Sequence, residues 1–338
     1  MRRVFLCPIA ALVLLPAACA PVQAVAAYAI TDLGVGGLAY GVNNAGQVVG
    51  VWSLYDSAFL WDPVAGVRRL STTGSEARAI NNAGQVTGYT GPGARAVLWE
   101  DGASSDLGLG DHSLGLAIND AGQVAGYRLD AQSHDAPFLW DPVTGVTDLA
   151  QWGWARAVNN ASQVVGQLSV SLRACLWDPS NGLAILPIPD LGRSSDALGI
   201  NDAGQMIGWI NVGPGYQVAM WDTSGGMRLL GTLGHAGCVG TAINGESQVV
   251  GYGWAPDGSR ELAFVWDDAG GMQALPALTA QGSSRAYAIN DLGWIAGYSE
   301  TSSGRRAVLW VPIPEPSSLL ALLCGLGGMA GIIRYRRR

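Results

Sequence analysis

The chain has 338 residues, 49% of them apolar and only 13% charged, with 48 glycines and a formal net charge of −7. That is about twice the usual glycine share and half the usual charge, which excludes a disordered chain, a coiled coil and a helical bundle. All 19 basic residues are arginines, so Schiff-base and P-loop lysines are absent, and the acidic balance argues against nucleic acid as a partner.

Residues 1–26 read as a secretory signal helix. Arg2 and Arg3 precede an apolar run, and the small residues Ala24 and Ala26 bracket Val25, placing a cleavage site after Ala26. Lipid attachment at Cys19 would need a large aliphatic residue where Pro16 stands, so cleavage without lipid is the preferred reading. A buried N-terminal helix is the bland alternative, but nothing downstream offers it a helical partner.

Residues 27–311 are built from seven copies of one unit. The strings GVNNAGQVVG, AINNAGQVTG, AINDAGQVAG, AVNNASQVVG, GINDAGQMIG, AINGESQVVG and AINDLGWIAG place an asparagine at Asn43, Asn81, Asn119, Asn159, Asn201, Asn244 and Asn290. A glycine follows seven residues later in every copy, from Gly50 to Gly297, and a tryptophan closes a second short motif at Trp61, Trp99, Trp140, Trp177, Trp221, Trp266 and Trp310. Each unit reads as four short strands. The first ends at the asparagine, and an Asn-Asn/Asp-Ala-Gly turn with a left-handed glycine leads to the second. An AFLW-like run such as Ala58 to Trp61 is the third, and an Asp-Pro-type turn leads to a fourth such as Val146 to Leu149. Ser162 and Ser247 replace the turn glycine in two copies, so those turns are expected to be strained.

Four strands in about 40 residues, repeated in register, predict an all-β, seven-bladed β-propeller. The last unit supplies three strands, whereas Tyr28 to Gly34 has the pattern of a fourth strand and precedes the first unit. The N-terminal strand is therefore expected to pair with Ala307 to Trp310 and close the ring without leaving a long open edge. A solenoid would leave that strand unexplained. The AINxxGQVxGY and AFLW-type elements resemble the HAF family of extracellular repeats from Thr31 to Trp310. The histidine that opens the family's HAF triplet is replaced here by Ser57, Arg95, Ala136, Arg173, Gln217, Leu262 and Arg306. The resemblance implies an extracellular propeller and no settled activity.

Catalytic sets are thin. The turns could be read as calcium loops, but each offers two side chains where calcium needs six to eight oxygens, so asparagines capping their own turns are preferred. The seven tryptophans read as core. His112, His134 and His235 lack metal-ligand spacing, and no metal or cofactor is expected. Asp111 beside His112, and His134 beside Asp135, could be halves of acid/base pairs, but sequence neighbours are not oriented partners. Cys175, in a third strand, and Cys238, in a loop before the sixth unit, are not expected to bridge. Alternating strand direction puts the Asn and Asp-Pro turns on one face and the variable connections on the other, where binding residues usually sit. Trp152 and Trp154 in one connection and Trp254 in another could stack on sugar rings, or fill the gaps between blades.

Residues 312–338 form a tail. Three prolines and Glu315 make an extended stalk, Leu319 to Ile333 are apolar, and Arg334, Arg336, Arg337 and Arg338 form a basic stop. The apolar run is expected to be a hydrophobic helix, short for a full membrane span and held cytoplasm-side by its arginines. With Val311, Pro312, Pro314, Glu315, Pro316 and Ser317 ahead of it, the tail resembles the PEP-CTERM sorting signal of Gram-negative bacteria. That resemblance implies an exosortase-type processing enzyme as a partner, with transient anchoring in the inner membrane before delivery to the cell surface or extracellular matrix; a simple membrane anchor is the alternative. The whole reads as an exported, non-enzymatic propeller that serves as a binding or structural component of the bacterial cell surface or extracellular polysaccharide matrix, with extracellular polysaccharide or a surface protein as its partner. The rival is a carbohydrate-active hydrolase or lyase, which would need two carboxyl groups about 5 to 10 Å apart from among Asp111, Asp130, Asp135, Asp196 and Asp257.

Overall fold

The computed structural model describes residues 27–313 apart from 55, 72–73, 151, 190–192, 214 and 235–236. The expected signal helix (1–26), the hydrophobic helix and most of the sorting tail, including Pro314, Glu315, Pro316 and Arg334 to Arg338, lie outside the described residues. The described residues contain 27 strands and no helix.

Five sheets have four strands in sequence order, each pairing antiparallel with the next, as in Ser75–Ile80, Val86–Thr90, Arg95–Glu100 and Ala103–Asp106. The sixth sheet has seven strands and contains both ends of the repeat region. Its middle member is the 15-residue strand Tyr28–Val42. Tyr28 to Asp32 pair with Pro312 to Val308 of the strand Gly304–Pro312, and Gly37 to Val42 pair with Trp52 to Val48 of the first unit. The register breaks between Asp32 and Gly36, where one strand passes from the last unit to the first. Pro312, assigned from sequence to the tail, thus occupies the end of a strand opposite Tyr28.

The repeated asparagine organises the turns. In each unit its side-chain oxygen accepts the backbone N–H four residues on, as Asn119 does from Gln123 at 2.9 Å. Its Nδ2 then donates to the backbone carbonyl of the next unit's asparagine, running 43 to 81, 119, 159, 201, 244 and 290, and from Asn290 back to Asn43 at 2.8 Å. All seven are buried. The capping expected from sequence is present, and the same amide joins neighbouring units. Asn43 to Gly46 and its equivalents carry the left-handed glycine, and Ser162 and Ser247 do adopt positive φ, 59° and 62°. Their hydroxyls donate to Gln123 and Gln205 of preceding turns at 2.8 and 2.7 Å, offsetting the strain.

The glycine seven residues after the asparagine has a steric reason. A Cβ at Gly50, Gly126 or Gly208 would lie 1.9 Å from the carbonyl oxygen of Leu38, Leu114 or Asp196 on the first strand. Opposite this glycine each first strand carries a β-bulge, which leaves Tyr40, Arg78, Leu116, Arg156, Leu198, Thr241 and Tyr287 without a cross-strand partner. Bulges re-aim a side chain, and these are the residues that vary within the repeat.

Third-strand residues fill the spaces between sheets. Trp99, Trp221, Trp266 and Trp310 are buried and Trp61, Trp140 and Trp177 half-buried, in keeping with a core role. Trp221 and Trp310 satisfy their indole N–H on the carbonyls of Pro187 and Pro276, both at 2.7 Å. Cys238 lies in the strand Gly237–Ile243 rather than in a loop, where its thiol donates to the Thr232 carbonyl at 3.3 Å, and both it and Cys175 are buried.

Candidate functional site

The two faces differ as the strand directions require. On one, the Asn turns sit beside the Asp turns of their own units, and in three units glutamines join them: Gln47 donates to Asp62, Gln123 to Asp141 and Gln163 to Asp178 at 2.8–3.1 Å. The Asn turns surround a cavity of about 540 Å³ whose rim includes Asn44, Asn82, Asp120, Asn160, Asp202 and Asp291. These rim side chains are committed to one another, since Asn82 Oδ1 accepts the Asn44 N–H and Asn82 Nδ2 donates to Asp120. No group of three or more potential metal ligands occurs among the described residues.

The opposite face, formed by the variable connections, carries the aromatic residues singled out from sequence. Trp152, Trp154 and Trp254 are half-buried rather than freely exposed. Trp152 packs against His134 with ring centres 4.6 Å apart and ring planes tilted by 46°, and donates its indole N–H to Asp130 at 3.3 Å. Trp152 and His134, with Ser133, Asp135, Ser169 and Val170, line a second cavity of about 540 Å³. Trp154, on the strand Gly153–Val158, donates to Asp135 at 2.9 Å and lies under the Arg156 guanidinium at 5.1 Å. Trp254 belongs to a different group, facing Tyr252 at 5.5 Å and Tyr216 at 6.0 Å, with Trp209 beyond Tyr216 at 4.9 Å.

A third group joins the last units to the first. Tyr40 and Tyr287, both bulge residues, have ring centres 5.3 Å apart, and Arg78 covers Tyr40 at 4.4 Å. Arg285 stacks 4.0 Å from the Tyr252 ring and grips Glu261, Nε to Oε2 at 2.6 Å, while the Tyr298 hydroxyl donates to the same carboxylate at 3.1 Å. Burial raises the phenol pKa of Tyr40 to about 12 and also raises that of Tyr287, so both stay neutral hydroxyls at physiological pH. This group was not singled out from sequence. Its signal was the third residue before each asparagine, a position that varies next to a repeated motif.

The candidate acids are each engaged separately. Asp111 takes Arg95 at 2.5 Å, Asp257 takes the Ser259 hydroxyl at 2.7 Å, and Asp135 takes Trp154. Asp130 accepts the backbone N–H of His134 and Gln132, and the first of these does most to hold its carboxyl below the usual range. His134 Nδ1 stands 3.5 Å from Asp130 Oδ2, so this histidine is oriented by Asp130 rather than by its sequence neighbour Asp135. His112 sits exposed in a turn at φ 56°.

Asp196 is the exception among the acids. It is 3% exposed, Oδ2 receives Arg156 at 3.2 Å, and Oδ1 has no hydrogen-bond partner among the described residues. Burial raises its pKa from 3.8 to about 6, with Arg156 opposing the shift. Between these values the unfolded chain loses the proton first, so ionisation favours unfolding, and stability falls as pH rises through the window and levels off above it. Asp196→Asn should abolish this slope: the parent's Tm should drop between about pH 4 and pH 6 relative to the variant's. Parallel profiles would show that Asp196 is ionised throughout.

No protein-family model matches the sequence, and no curated protein does either. Among solved structures, a catalytically inactive virginiamycin B lyase from Staphylococcus aureus with quinupristin superposes at a TM-score of 0.61 with 11% identity, over 85% of this chain and 100% of that one. A selenomethionine-substituted virginiamycin B lyase from the same organism gives 0.59 with 12% identity over 85% and 99%. YCF48 from Cyanidioschyzon merolae gives 0.55 with 11% identity over 84% and 98%. Likeness at this identity is likeness of fold, and together with the succession of four-stranded antiparallel sheets it makes the chain an all-β protein of the β-propeller type.

Proposed function

We propose that the chain is an exported, non-enzymatic, seven-bladed propeller that binds extracellular polysaccharide through its variable face. Seven blades and closure by the N-terminal strand are supported by the asparagine links, which return from Asn290 to Asn43, and by the strand Tyr28–Val42, which serves the last unit and the first. Export and processing by an exosortase-type enzyme rest on the leader and on the tail motif with its basic end.

The observation that carries the binding reading is the wall of half-open indole and phenol rings whose polar partners are already fixed in place. Sugars offer apolar C–H faces to such rings and hydroxyls to pre-oriented carboxylates and guanidiniums. A hydrolase would instead need carboxyl groups free to exchange protons across one pocket, and here indole and backbone N–H groups hold Asp130 and Asp135. The test is a glycan array with a reducing-end assay on the same preparation. Trp152→Ala, and more strongly Trp152→Ala with Trp154→Ala, should weaken glycan binding by up to about tenfold per ring, the scale of one aromatic contact. Released sugar in the parent sample would overturn the non-enzymatic reading.

A further inference from the structure

We infer that the anchored molecule stands on its asparagine face and presents the variable face, with its aromatic wall, away from the membrane. The exit of the tail carries this. Pro312 pairs with Tyr28, and the Ile313 N–H donates to the Ala27 carbonyl at 2.7 Å, so both ends of the repeat region leave at one place. That place belongs to the turn face: Tyr28 and Pro312 line a cavity of about 440 Å³ with Leu292 and Gly293 of the last Asn turn and Asp267 and Asp268 of an Asp turn. The strand Gly304–Pro312 begins at the other face, in the turn after Thr301. Its nine residues separate the two faces by about 30 Å at ~3.3 Å per residue.

Charge sets how closely this face can approach the membrane. The exit is flanked by Glu246, Asp267, Asp268 and Asp291, a surface that anionic lipid would repel at close range. The length of residues 313–318 offers a way round the conflict: at ~3.1 Å per residue a fully extended segment of that length can reach about 19 Å, more than twice the ~8 Å screening length at physiological salt. The inference rests on the proposed anchoring by residues 319–338, and it adds which face meets the surroundings.

The test uses the full chain in vesicles of phosphatidylethanolamine and phosphatidylglycerol that contain a rhodamine-labelled lipid. A donor dye is attached through Leu292→azidophenylalanine, at a position 57% exposed on the turn face, or through Ser302→azidophenylalanine, exposed on the variable face. Energy transfer to the lipid should be about twofold higher from position 292, given the ~30 Å difference in height. Equal transfer, or higher transfer from 302, in chains that float with the vesicles overturns the orientation alone. Chains that fail to float overturn the anchoring and the orientation together.

Discussion

Deleting residues 27–34 should leave a chain without a cooperative thermal transition. Tyr28 to Asp32 form the ladder that covers Gly304–Pro312, and Asp32 also receives Arg306 through two hydrogen bonds at 2.9 and 3.1 Å. Leu33 packs in a cluster with Val35, Phe59, Ala307 and Leu309, and Tyr28 and Ile30 pack against Val308 and Trp310. The deletion wets these side chains and turns a paired strand into an open edge. At roughly 1.5–3 kcal/mol per buried aliphatic side chain, and with the last unit no longer tied to the first, the loss exceeds about 5 kcal/mol and reaches the scale of a whole domain's stability. Calorimetry and size-exclusion chromatography would read this as a lost transition and an expanded or aggregated chain. A melting point within a few degrees of the parent would refute the closing role of the N-terminal strand.

How much of this was legible in the sequence depended on repetition. Where seven copies agree, as at Asn119 and Gly126, one physical cause acts seven times, and the strands, turns and left-handed glycines could be placed from pattern alone. The surplus strand at Tyr28 and its partner at Trp310 were legible because one unit was short by a strand and the other end had one to spare. The linking role of the asparagines was not, because a side chain that caps its own turn looks the same in sequence whether or not its amide also reaches the next unit. The site was hidden for the opposite reason. Tyr40, Arg78 and Tyr287 share a repeat position that holds tyrosine, arginine, leucine or threonine from one copy to the next, and their contacts cross from one unit to the next. Trp152 and Trp154 drew notice as aromatic residues in a variable connection, yet the partners that half-bury them, Asp130 and Asp135, come from a hairpin some 20 positions earlier.

Replacing a ring asparagine should be among the costliest single substitutions in the protein. Asn159 is 3% exposed and makes four hydrogen bonds through one amide: Oδ1 accepts the N–H groups of Ala161 and Gln163, and Nδ2 donates to Gln163 Oε1 and to the Asn201 carbonyl. Asn159→Ala strands these partners away from water, at about 1–3 kcal/mol for each group left truly unsatisfied. Allowing for partial rescue by solvent at the turn, the expected loss is about 3–5 kcal/mol, in the range that marks a broken buried network. Asn159→Asp should fare no better, since a carboxylate keeps the acceptor role but faces the Asn201 carbonyl and Gln163 Oε1 with no proton to give. Asn290 offers the internal comparison. Trp294 stands where the other units have glutamine, so the Asn290 amide lacks that partner and donates to Asn43. Asn290→Ala should therefore cost less than Asn159→Ala by about one hydrogen bond, ~1 kcal/mol. Denaturant melts of the three variants test both the size and the order of the effects. Losses at or below about 1 kcal/mol in all three, the net worth of a single ordinary hydrogen bond, would mean that the asparagines shape their turns without holding neighbouring units together.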